Sequence, residues 1–140
     1  GGGNSLNEAY GIAVDGSGNV FVTGTSSSNA FKITPSGTIT QIIDVTGDGT
    51  GNQLRDPLDV AADGSGNVYV TGIGSDNAFK ITPSGTVTQI IDATGDGSGN
   101  PLSYPRGVAL DRLGNVYLAG RLSHNAFKIT PGGTITEIGA

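Results

Sequence analysis

The sequence contains no cysteine, no methionine and no tryptophan. Without cysteine, no disulfide supports the fold, no thiolate serves as a nucleophile, and the redox compartment stays open. His124 is the only histidine, so a chain-internal histidine pair at zinc-ligand spacing is excluded. No Gly-x-Ser-x-Gly elbow is present. Charge is sparse: 12 acidic and 7 basic residues give a net charge of −5. That balance offers no basic stripe for phosphates, which argues against nucleic acid and against an anionic membrane surface as partners. No apolar run reaches the roughly 18 residues of a membrane-spanning helix. No basic start followed by an apolar stretch signals secretion. Nowhere do apolar residues recur at helical spacing.

What the chain does hold is glycine, 25 in 140 residues, and one passage written three times. Asp-Gly-Ser-Gly-Asn-Val at 15–20 returns at 63–68 and, altered to Asp-Arg-Leu-Gly-Asn-Val, at 111–116. Asn-Ala-Phe-Lys-Ile-Thr-Pro begins at Asn29, Asn77 and Asn125. The period is 48 residues in every case. Such a period marks one supersecondary unit repeated, whose apolar faces are buried only by stacking on neighbours.

Within the first unit, Gly11-Ile12-Ala13-Val14 is a short apolar run and residues 15–19 are turn formers. Val20-Phe21-Val22-Thr23 is β-branched and aromatic, hence strand. Ala30-Phe31-Lys32-Ile33-Thr34 alternates, Pro35-Ser36-Gly37 is a tight turn, and residues 38–43 make a fourth strand. Strands joined this tightly pair antiparallel. The expected architecture is all-β: three four-stranded antiparallel β-propeller blades, at about residues 6–43, 54–91 and 102–138, with long inter-blade loops at 44–57 and 92–105.

The stretch 11–24, Gly-Ile-Ala-Val-Asp-Gly-Ser-Gly-Asn-Val-Phe-Val-Thr-Gly, resembles the signature of NHL-type repeats and their bacterial beta-propeller-repeat relatives. It recurs at 59–72 and 107–120, with Asp59 in place of the opening glycine and Arg112-Leu113 in place of Gly-Ser. The Trp-Asp mark of WD40 blades and the double glycine of kelch blades are absent. The resemblance implies the propeller fold and, by analogy with six-bladed lyases and hydrolases of related rings, an enzyme alternative with its active site at the central channel.

Propellers close with about four to eight blades, so three leave two sheet faces bare. Assembly with copies of the same chain is the expected remedy, a homodimer of six blades first and a homotrimer of nine second. Phase fits this: Ala140 aligns with Asp44 and Asp92, and Gly1 with Gly49 and Gly97. The third reading is that the chain is a piece of a longer or designed ring.

Residues 6–52 and 54–100 are identical at 33 of 47 positions, and six of the 14 differences fall at 7–12. The loops at 25–28, 73–76 and 121–124 vary as well. In a meander these two segments share one rim, and binding residues concentrate on such loops. Arg55, Asp56, Asp59, Asp76, Tyr104, Arg106, Arg121 and His124 are the candidate interaction residues, facing a protein or glycan ligand.

Asp44-Val45-Thr46-Gly47-Asp48-Gly49 and its copy at 92–97 resemble the opening of a calcium loop, which makes Asp44, Asp48, Asp92 and Asp96 weak metal candidates. The bidentate Glu of such loops is Arg55 in one copy and Ser103 in the other, and Asp and Gly are ordinary turn residues. Asp15, Asp63 and Asp111 read as caps of their own turns rather than as a carboxylate ring. Asn29, Asn77 and Asn125 read as turn residues. Lys32, Lys80 and Lys128 read as snorkelling along a partly exposed sheet edge. No acid, base and metal set can be assembled, so the expectation is a non-catalytic scaffold or binding module.

Overall fold

The computed structural model describes residues 4–140. Among them stand twelve strands in three sheets. Blade 1 holds β1 (Ala9–Val14), β2 (Val20–Gly24), β3 (Asn29–Ile33) and β4 (Ile39–Ile43). Blade 2 holds β5 (Pro57–Ala62), β6 (Val68–Gly72), β7 (Asn77–Ile81) and β8 (Val87–Ile91). Blade 3 holds β9 (Pro105–Leu110), β10 (Val116–Gly120), β11 (Asn125–Ile129) and β12 (Ile135–Gly139). Every blade is an antiparallel meander in sequence order. The first strands β1, β5 and β9 adjoin one another along the axis, and β4, β8 and β12 form the outer edges.

The turns explain why each strand stops where it does. Asp15 Oδ1 accepts the amides of Ser17 and Asn19 at 2.9 and 3.0 Å, and its Oδ2 accepts the Asn19 side chain at 2.9 Å. Gly18 supplies the left-handed residue at φ 81°. Asp63 and Asp111 repeat the arrangement, so the capping expected of these aspartates is what the structure holds.

The core lies between blades rather than within one. Phe21, Ala30 and Ile43 of blade 1 pack with Val60, Val68, Val70, Phe79 and Ile81 of blade 2 and with Leu54 of the connecting loop. A second cluster joins Tyr69, Ala78 and Ile91 to Leu102, Val116, Leu118, Phe127 and Ile129. Each large side chain so buried contributes about 1.5–3 kcal/mol, which is how neighbouring units hold each other.

Three expectations need revision. Strands start earlier than the apolar pattern suggested: Pro57 and Pro105 open β5 and β9, tolerated because a first strand residue can spare its N–H. The lysines are not on an edge. β3 is hydrogen-bonded on both sides, and Lys32 lines a cleft of about 420 Å³ between blades 1 and 2 beside Phe21, Ile42 and Pro83. Lys80 does the same between blades 2 and 3. Asn29 and Asn77 are buried clamps rather than turn formers: the Asn77 amide donates to the Gln53 carbonyl and to Gln89 at 2.9 Å each, while its oxygen accepts the Ser75 hydroxyl at 2.7 Å. The alignment of Gly1 falls outside the described residues.

Candidate functional site

The starts of the first strands and the loops between second and third strands meet at one end of the axis. The amide of Thr25 donates to Glu8, that of Ile73 to Asp56, and that of Arg121 to Tyr104, at 3.0, 3.2 and 3.0 Å through the backbone. The two variable segments therefore share a rim. Six of its corner residues, Glu8, Asp56, Tyr104, Ser28, Asp76 and His124, hold left-handed backbone with φ between 48° and 56°. Such non-glycine residues persist only where surrounding bonds fix them.

Those bonds run from blade to blade. The Thr23 hydroxyl donates to the Leu58 carbonyl at 2.8 Å, and that of Thr25 to the Pro57 carbonyl at 2.8 Å. The amide of Asp56 donates to Ser28 Oγ at 3.3 Å, and that of Tyr104 to Asp76 Oδ1 at 2.6 Å. Asp59 accepts the Val60 amide on one oxygen and the Val108 amide on the other, each at 2.9 Å. Asp59 and Asp76 thus spend their charge on backbone N–H groups.

The cations and phenols point the other way. Arg106 lies on β9 and Tyr10 on β1, two blades apart, yet the guanidinium donates to the phenol oxygen at 3.3 Å over the axial end. The hydrogen bond to Tyr10 raises the Arg106 pKa above its already high ordinary value, so the group stays cationic. Arg121 stands over the Tyr104 ring, 5.7 Å from its centroid. Arg55 donates to Gln53 Oε1 at 3.1 and 2.7 Å on the exposed flank. His124 occupies, exposed, the blade 3 corner equivalent to Ser28 and Asp76.

The rim therefore brings together Arg106 with Tyr10 and Arg121 with Tyr104, and turns Asp59 and Asp76 into staples. Tyr10 is the residue that sequence reasoning missed. Its signal was its place in the variable stretch 7–12, in phase with Leu58 and Arg106.

The inter-blade loops close on themselves. Asp44 accepts the Thr46 amide at 2.9 Å, and Asp92 that of Thr94 at 2.9 Å. Asp48 accepts the Asn52 side chain at 2.7 Å and the Thr50 amide at 2.9 Å, which holds its carboxyl at about 2. Asn100 and Ser98 lower Asp96 in the same way. Among the described residues, no three His, Cys, Asp or Glu side chains gather at metal-holding distance.

A sequence profile described as "Beta-propeller repeat" matches residues 1–32 and 87–125. No curated protein matches the chain. Among solved structures, virginiamycin B lyase from Staphylococcus aureus superposes with a TM-score of 0.77 at 20% identity, over 98% of this chain and 43% of that one. A streptogramin B lyase gives 0.73 at 20%, over 94% and 40%. A gluconolactonase from Xanthomonas campestris gives 0.70 at 13%, over 96% and 48%. The chain spans less than half the length of each. At these identities the likeness shows the fold. It also corrects the expectation of a non-catalytic scaffold or binding module, since the similar propellers just named are a pair of lyases and a lactonase.

Proposed function

The chain belongs to the beta-propeller repeat family, and on that premise we propose that its blades form part of a propeller enzyme of the lyase or lactone-hydrolase kind, reacting at the axial rim. The observation that carries this reading is the meeting of Arg106 and Tyr10 from two different blades at 3.3 Å. Elimination next to a carbonyl group and hydrolysis of a lactone both build negative charge on a carbonyl oxygen. A guanidinium paired with a phenol is suited to receive that charge, since donors aimed at a developing oxyanion do most for the rate. With Asp59 and Asp76 committed to backbone amides, Arg106, Arg121 and the phenols give the rim its cationic and hydroxyl donors beside the exposed Glu8 and Asp56, a set that suits a strongly polarised substrate.

The test is turnover on a panel of lactones and esters, followed by Arg106→Ala. Turnover that falls by about 100-fold or more in the variant, as expected for loss of one oxyanion donor, supports the proposal. No turnover by the wild type on any panel member, or turnover indifferent to the substitution, overturns it.

A further inference from the structure

The two internal blade junctions are near copies of each other, and the chain carries both halves of a third. We propose that the free face of blade 1 is covered by the free face of blade 3 from a second copy of this chain, closing a six-bladed ring head to tail. The inference stands apart from the proposed chemistry.

The leading face of a blade is the one that packs on its predecessor. Val60 on the leading face of blade 2 is 4% exposed, whereas Ile12, its counterpart 48 residues earlier on blade 1, is 69% exposed. Ala62 and Leu110 pack against the inter-blade cores, but their counterpart Val14 is exposed. Val87 and Ile135 pack there too, but their counterpart Ile39 is exposed. Leu54 and Leu102 are buried, while Leu6 stands 42% exposed beside a groove of about 250 Å³ that it lines with Val22, Phe31, Ile33 and Ile39. Large apolar side chains in register over a whole sheet face are a docking surface, not scatter.

The matching half lies at the other end. Ile42 and Ile90 on the trailing faces of blades 1 and 2 pack against the next blade, and their counterpart Ile138 is 53% exposed. Phe21 and Ile42 share a cleft with Val68, Ile81 and Pro83 of the following blade. In the same register, Tyr117 and Ile138 of one copy meet Val20, Ile33 and Pro35 of the other. Because leading and trailing faces differ, the contact is heterologous and closes only by rotation. Six blades lie within the range of about four to eight over which propellers close, and nine lie outside it.

The experiment is light scattering on the 140-residue chain after size exclusion, with Ile12→Asp and Ile138→Asp examined separately and mixed. The wild type is expected at twice its 13.9 kDa. Each aspartate sits on one exposed face, so blade folding is retained, as far-ultraviolet dichroism checks. A charge buried at the junction should weaken association by at least about tenfold and leave the single mass. Mixing the two variants restores one intact junction, so part of the doubled species returns. A wild type at single or triple mass, variants that remain at twice the mass, or a mixture with no recovery would overturn the proposal. The single-mass outcome would leave further blades of the same repeat as the occupant.

Discussion

Thr23 in blade 1 and Leu58 in blade 2 are joined by one buried hydroxyl. Thr23 Oγ1 donates to the Leu58 carbonyl at 2.8 Å and accepts the amide of Gly11 at 2.8 Å, with Thr23 itself wholly buried. Gly11 is glycine for the same reason, as a Cβ there would collide with that carbonyl.

Thr23→Val keeps the shape and strands both partners. Each buried polar group left unsatisfied costs about 1–3 kcal/mol. Urea unfolding should therefore show a loss within that range or somewhat beyond, with the slope unchanged.

Acid should erode stability in a defined window. The side-chain amides of Asn52 and Asn115 are the main cause holding Asp48 and Asp111 at about 2, below the ordinary 3.8. A carboxylate whose folded pKa is depressed contributes stability that is present above its unfolded value and lost as pH falls through the folded one. The melting temperature should hold steady from about pH 7 to 5 and fall between about pH 4 and 2. Asn115→Ala should let the Asp111 carboxyl rise toward its ordinary value and flatten its share of that fall. An unaltered acid limb would contradict this.

Two glycines in one loop should respond differently to alanine. Gly47 has φ 62°, and a Cβ there would strike the Asn52 carbonyl and lie 3.0 Å from the Phe79 ring. Gly49 has φ 77° with nothing within 4 Å. Gly49→Ala should cost about 1 kcal/mol, the backbone penalty alone. Gly47→Ala should cost clearly more, because part of the loop must move off the core. Thermal or urea unfolding of the pair gives the comparison.

On the rim, Tyr10→Phe removes the phenol oxygen from Arg106 and leaves the ring. Tyr10 is 60% exposed, so stability should stay within about 0.5 kcal/mol. If the rim acts as proposed, kcat/KM for the best lactone or ester should fall about tenfold, equivalent to about 1.4 kcal/mol of lost transition-state stabilisation. An unchanged kcat/KM would remove Tyr10 from the site.

The blades were legible because their signals are local. Asp15 caps a turn with atoms two and four residues away, and Phe31 alternates with Ile33 along a single strand. The shared rim followed from meander geometry. What escaped depends on how blades turn about the axis. Tyr10 and Arg106, 96 positions apart, meet only because β1 and β9 converge, and nothing in the sequence between them encodes that convergence locally. Asn77 looked like a loop residue because Asn favours turns, but its three partners lie two, 12 and 24 residues away. Lys32 looked like edge protection although the fourth strand at 38–43 already placed β3 inside its sheet; what the local pattern does not carry is the neighbouring blade, whose Pro83 lines the cleft with Lys32.

The far end of the propeller has a practical consequence. Each Asp15-type turn is a sealed knot, tied to its own carboxylate and asking nothing of the axial end. A foreign peptide spliced between Gly64 and Ser65 would untie that one knot, parting the Ser65 amide from Asp63, yet it would hang from the underside like a tassel, at the opposite end from Tyr10 and Arg106.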